Sequence, residues 1–247
     1  MSAPLPHDPG TASAADLERA MLAQANPKDA AILMHFFKTG PGQYGEGDKF
    51  LGIRNPATRR TAKAFRDLPV DEAVRAAGSP WHEIRLCSLL ILANHYKNRK
   101  TTEAERAGIF ERYAALARRG RVNNWDLVDL TAPDIAGAYA FAHGVDTLER
   151  FAASGRLWEE RIAVLAMFPF IRANQVIEPS RMVDRFLSHP HDLMHKACGW
   201  MLREIGKRDR TALTGYLLNN KAVMARTTLR YAIEHYPEPE RKAFLSR

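Results

Sequence analysis

Only two cysteines, Cys87 and Cys198, occur in the chain, far apart and outside any zinc or redox spacing, so a disulfide framework is excluded and both are expected to be reduced packing residues. No apolar run approaches the length that spans a bilayer. The first residues, MSAPLPHDPGTASAAD, lack the basic start and apolar stretch of a signal peptide, and we expect a cytoplasmic protein. No segment alternates apolar and polar residues as a half-buried strand does, and no glycine-rich phosphate loop or nucleotide fingerprint is present. His189, His191 and His195 lie close together, but no HExxH pattern or carboxylate cluster accompanies them. We therefore expect no metal and no cofactor.

Positive charge, by contrast, is plentiful. Lysine and arginine number 36 against 28 acids, a formal net charge of +8, which favours a polyanionic partner such as nucleic acid. With 46% hydrophobic residues in 247, the chain can bury a substantial core. Residues 1–13, rich in proline, serine, alanine and glycine, read as a flexible tail, with Ser13 placed to cap a helix beginning near Ala14. We expect residues 14–247 to form one domain.

Helical periodicity dominates that domain. Apolar residues recur at three and four spacings in Ala31 to Phe37, Ile84 to Leu92, Ile109 to Leu116, Ile162 to Phe168, Met182 to Leu187, Ala197 to Ile205 and Leu213 to Leu218. Breaks fall at short intervals, among them Gly78-Ser79-Pro80, Gly120, Gly144, Gly155, Glu178-Pro179 and His189-Pro190. Aligning the segments centred on Arg85, Asp129, Arg161, Lys196 and Arg230 gives steps of 44, 32, 35 and 34 residues, the scale of two-helix repeats. The fold class expected is all-α: HEAT-like helical repeats stacked into a curved solenoid with a basic concave face. Two residues after each centre stands a small side chain, Cys87, Thr131, Ala163, Cys198 or Ala232, suited to close helix approach.

Four of the five centres are cations, and a row of cations suits a phosphate backbone. Asp129 inverts the sign. It stands four residues after Trp125, so an indole and a carboxylate share one helix face. An acid there either balances charge with a neighbouring arginine or is a functional carboxylate.

Four motifs in order sharpen that choice. Phe50-Leu51-Gly52-Ile53-Arg54-Asn55-Pro56 followed by Arg59-Arg60, then Asn124-Trp125-Asp126-Leu127-Val128-Asp129, then Trp158 with Arg161, then Lys196 to Glu204, resemble the AlkD family of DNA alkylation-repair glycosylases. The resemblance runs from about Ala15 to the C-terminus. It implies HEAT-like repeats and excision of positively charged alkylpurines, 3-methyladenine and 7-methylguanine, from double-stranded DNA. It places the catalytic aspartate on Asp129, the two site tryptophans on Trp125 and Trp200, and the phosphate-contacting arginine on Arg161. A further N-terminal aromatic has three candidates, Phe36, Phe37 and Tyr44.

The chemistry fits these residues. An N-alkylated purine carries its own positive charge and needs no acid to leave, so the demand is for a carboxylate facing the sugar cation and for flat π-faces that attract it. Backbone contacts are expected from Arg161, Arg85, Lys196, Arg203 and Arg230, with Arg54, Arg59, Arg60 and Lys63 as a second patch. Trp81 and Trp158 read as packing residues. His82-Glu83 and Glu159-Glu160 read as acids and polar residues favoured at helix starts, and Asp126 as a helix-cap or surface acid. The expected protein is a monomeric glycosylase; its rival is a non-catalytic protein of the same fold that binds DNA structures or serves as a scaffold.

Overall fold

The computed structural model describes residues 12–246, and the expected tail lies outside them except for Ala12 and Ser13. The chain divides into two compact units, residues 1–135 and 136–247. Both are helical, and among the described residues the only β feature is one isolated bridge between Lys49 and Trp81. No helix among the described residues is long and apolar enough to cross a membrane.

The first unit holds α1 (Ala14–Leu22), α2 (Pro27–Phe36), α3 (Asn55–Ala64), α4 (Val70–Ala76), α5 (His82–Lys97), α6 (Glu103–Arg118) and α7 (Trp125–Asp129). Ser13 does cap α1: its side chain accepts from the Asp16 N–H, and Asp16 reaches back to the Ser13 N–H at 2.9 Å, closing a capping box. Thr102 and Glu105 repeat the device on α6. Helix α5 is the spine of this unit. Apart from Arg85 and Ser88, its Ile84-to-Leu92 stretch is apolar on every face, and every one of those residues is buried, as such a helix requires.

The second unit holds α8 (Ala138–His143), α9 (Glu149–Ala152), α10 (Leu157–Leu165), α11 (Phe168–Arg172), α12 (Ile177–Asp184), α13 (Asp192–Arg208), α14 (Arg210–Asn220), α15 (Arg226–Ala232) and α16 (Glu238–Leu245). Here α10 packs on α13 and α13 on α15. The break expected at Glu178-Pro179 is instead the first turn of α12, where proline forfeits no helical hydrogen bond.

The five repeat centres fall on α5, α7, α10, α13 and α15, and the small residues two positions later are all buried. Burial pushes the Cys198 thiol up to about 12 and the Cys87 thiol above its ordinary value, so both are inert packing groups. The α13–α15 pair also comes close one residue later. A Cβ at Gly199 would stand 2.5 Å from Tyr231 Cβ and 2.6 Å from the Thr228 carbonyl oxygen.

Candidate functional site

Helix α7 carries the indole and the acid at its first and last positions, with Asn124 accepting the Trp125 N–H as the cap. Leu127 and Val128 between them are fully buried, while Trp125 and Asp129 are half-buried. Trp125 stacks on Phe37 at 5.2 Å and 16°, and Phe37 in turn stacks on Phe50 at 4.9 Å. Of the three N-terminal aromatic candidates, Phe37 is therefore a buried packing residue. Phe36 is 58% exposed and meets Trp125 edge-on at 6.0 Å; Tyr44 is half-buried in the loop before α3.

Behind the rings lies a buried charge cluster. His82, at the start of α5, meets Asp48 through Nδ1 and Asp126 through Nε2, each at 2.9 Å. Arg85, one turn on, donates to Asp48 at 2.6 Å, to Asn123 at 3.0 Å and to the Ser79 and Pro80 carbonyls. Two carboxylates thus face two cations. Burial alone would lower the His82 pKa, but Asp126 and Asp48 outweigh it and hold the imidazole up, at about 9. Burial likewise works to raise Asp48, and the hydrogen bond from His82 with the Arg85 charge overcomes it, leaving that carboxyl below its ordinary value. Phe50 stacks on the imidazole at 4.4 Å and 20°, a favourable seat for a charged ring.

Glu83 closes the cluster on another side. Its buried carboxylate accepts the backbone N–H groups of Leu51, Gly52 and Ile53 at 2.8 to 3.0 Å, and so clamps the Phe50-to-Ile53 motif against α5. Gly52 is required there: its φ is +83°, and a Cβ would lie 2.1 Å from the Asn26 carbonyl oxygen.

Arg85 therefore differs from the expectation that it faces DNA. It is 2% exposed, and pulling its guanidinium out to meet a phosphate would leave Asp48 buried beside His82 alone. Asp126 is a buried ion-pair partner rather than a surface acid, and His82 and Glu83 are more than residues favoured by a helix start. The sequence held one usable signal for this cluster: polar residues inside a helix that is otherwise apolar all round must be buried, and buried polar groups require partners.

In the second unit, Trp200 on α13 is half-buried, edge-on to Phe168 at 5.0 Å, with its indole N–H donated to Glu204 at 3.1 Å. Arg161 on α10 is 4% exposed and donates to the Leu193 carbonyl at 2.5 Å. Lys196 pairs with Asp192 at 2.8 Å, Arg203 pairs with Glu234, and Arg230 is exposed on α15. His189 meets Glu160 at 3.0 Å, and His195 meets the His189 carbonyl. Of the second basic patch, Arg54 pairs with Asp29 at 2.7 Å and Arg59 bonds Asn55, while Arg60 and Lys63 are exposed along α3.

The model of a family described as "DNA alkylation repair enzyme" matches residues 17–236, most of the chain. The chain belongs to this family. A solved structure described as "Predicted DNA alkylation repair enzyme from Enterococcus faecalis" superposes with a TM-score of 0.68 at 15% identity, over 87% of this chain and 97% of that one. That likeness shows a shared all-helical fold. No curated protein matches the chain by sequence.

Proposed function

We propose that this member of the DNA alkylation repair family is a monofunctional DNA glycosylase that removes positively charged N-alkylated purines, such as 3-methyladenine and 7-methylguanine, from duplex DNA. The observation that carries the reading is α7: an indole and a carboxylate at the two ends of one short helix, both half-buried, in a chain whose family acts on alkylated DNA.

The chemistry follows from charge. As the bond from the sugar carbon to the base nitrogen breaks, its electron pair goes to the base and neutralises it, and positive charge moves to the deoxyribose. A carboxylate about 4 Å from that cation, in a partly desolvated site of effective dielectric near 20, stabilises it by ~4 kcal/mol. That corresponds to a rate factor on the order of 10³. Asp129 is the proposed acid; it also orients the water that adds to the sugar and takes up its proton. Trp125 and Trp200 are proposed as electron-rich walls, each contributing about 0.5 to 2 kcal/mol toward the cation. Because the carboxylate addresses the sugar, the base need not be flipped into a pocket of its own.

DNA contacts are proposed for Arg161, Lys196, Arg203 and Arg230. Arg161 differs from the rest. It is 4% exposed and donates to the Leu193 carbonyl, so its guanidinium is held by protein and is a preorganised donor rather than a flexible one. We propose that the protein works as a monomer, in the cytoplasm, without a cofactor.

The test is release of 7-methylguanine from methylated duplex DNA. Wild-type protein is expected to release it, and Asp129→Asn to do so more slowly by a factor on the order of 10³. Wild-type protein that binds this DNA but frees no base would overturn the reading in favour of a non-catalytic DNA-binding member of the fold.

A further inference from the structure

We propose that His82, held as an imidazolium between Asp48 and Asp126, is a positioning residue that sets the orientation of the Trp125–Asp129 helix. The inference rests on the catalytic role proposed above for Trp125 and Asp129.

Helix α7 is only five residues long. Five residues form too few internal hydrogen bonds to make a helix stable by itself, so tertiary contacts must fix it. Leu127 and Val128 set its depth by full burial. Apolar contacts are non-directional, however, and leave the rotation of the helix about its axis weakly specified. Asp126 supplies the direction. It lies between Trp125 and Leu127, its Oδ1 accepts the Leu127 N–H at 2.9 Å, and its Oδ2 meets His82 Nε2 at 2.9 Å. The other end of the link is Asp48, fastened to Arg85 on the same long helix as His82. Thus α5, with 16 residues, is the frame, and His82 is the strut from that frame to the short helix.

The protonation state follows from geometry. A carboxylate stands at hydrogen-bond distance from each ring nitrogen, and only the imidazolium donates from both. A neutral ring would turn a lone pair toward one carboxylate and lose that bond. The charged groups around the ring are Asp48 from the loop before α3, Asp126 from α7 and Arg85 from its own helix; the C-cap of α2 and the Phe50 segment present the rings of Phe37 and Phe50. Glu83 is occupied by the Leu51, Gly52 and Ile53 N–H groups. The raised pKa of His82 agrees with this arrangement.

The consequence for the reaction is specific. Loss of the strut is expected to move Trp125 and Asp129 while leaving DNA-contacting residues of other helices unchanged, so the chemical step slows and affinity does not. His82→Gln can bond only one carboxylate as donor, and its single-turnover rate of 7-methylguanine release is expected to fall about tenfold, with DNA affinity within about twofold of wild type. Asp126→Asn is the geometric rescue. Its amide N–H can meet the lone pair of a neutral imidazole, so the rate is expected to stay within about threefold of wild type although the ion pair is gone.

Nitrogen-15 NMR of the histidine rings in wild-type protein provides the direct readout. One ring, absent from the spectrum of His82→Gln, is expected to keep both nitrogens protonated at pH 8 and to lose a proton near 9. A neutral His82 ring at pH 7 would overturn the inference, as would a folded His82→Gln protein that excises at the wild-type rate. The structural arm is independent of catalysis. In a Trp81→Phe, Trp158→Phe, Trp200→Phe protein, the emission of Trp125 is expected to shift as pH crosses the His82 titration while the far-ultraviolet circular dichroism stays constant; absence of that shift sinks the positioning role. If the wild-type protein releases no base, the glycosylase reading fails, and this arm alone decides the inference; it needs no His82 variant, so misfolding of His82→Gln does not block it.

Discussion

Helices α7 and α13 each carry a tryptophan proposed to face the substrate, and they are held by different forces. The first is five residues long and tied down by buried ion pairs through Asp126 and His82. The second is 17 residues long, packed through Met194, Ala197, Cys198, Met201, Leu202 and Ile205, with Trp200 steadied by Phe168 and one bond to Glu204. A long amphipathic helix orients itself by the face it buries. A short one lacks that leverage and needs directional bonds. Directional bonds between buried charges bring two liabilities that apolar packing does not: sensitivity to pH, and intolerance of losing one partner.

The largest expected effect tests the second liability. Arg85→Ala leaves Asp48 buried with one cation in place of two, and is expected to lower stability by about 3–5 kcal/mol in urea denaturation. The salt slope of DNA binding should not change. An Arg85→Ala protein of wild-type stability with a shallower salt slope would return Arg85 to the DNA-facing row and dissolve the contrast between the two helices.

The first liability appears as a pH dependence with a defined sign. The folded His82 pKa, at about 9, lies above its ordinary value, so the folded state binds the proton more tightly than the unfolded one. The stabilisation is complete below about pH 6.5 and is lost as pH rises through 9. Unfolding free energy should therefore decline by a few kcal/mol over that window, and the decline attributable to His82 should vanish in His82→Gln. A flat profile in the wild-type protein would show that the cluster is not charged as described.

Trp200→Ala probes the packed helix. Truncating one half-buried indole is expected to slow base release by about two- to thirty-fold, the equivalent of 0.5 to 2 kcal/mol, with affinity for undamaged DNA nearly intact. If urea denaturation shows a loss of stability and the excision rate is unchanged, Trp200 is a packing residue only. The smallest effect is expected from Arg230→Ala. An exposed cation on α15 should contribute under about 0.5 kcal/mol to stability, and its loss should reduce the slope of log affinity against log salt by about 0.9. Equal slopes for wild type and variant would remove Arg230 from the interface.

Much of this molecule was legible in its sequence because helices are written in local periodicity. The cap at Ser13, the helices α5, α6, α13 and α14, and the burial of Cys87, Thr131, Ala163, Cys198 and Ala232 all follow from spacing between near neighbours. So does the pairing of Trp125 with Asp129 on one helix. The tight approach at Gly199 is not legible, although it stands beside Cys198, because the spacing marks a close pair of helices without marking every residue in contact.

The tertiary structure alone decided which buried polar residues meet one another. Asp48, His82 and Asp126 lie 34 and 44 residues apart along the chain and meet at 2.9 Å. Nothing in the neighbourhood of any one of them announces the others. The same holds for Arg85 and Arg230, equivalent by repeat position yet one buried with an aspartate and the other exposed. Periodicity assigns a residue to a helix face, because that assignment depends on backbone geometry within a few turns. Whether that face meets water or a buried carboxylate depends on chain segments brought together only by folding, and there the charge of a side chain acquires its role.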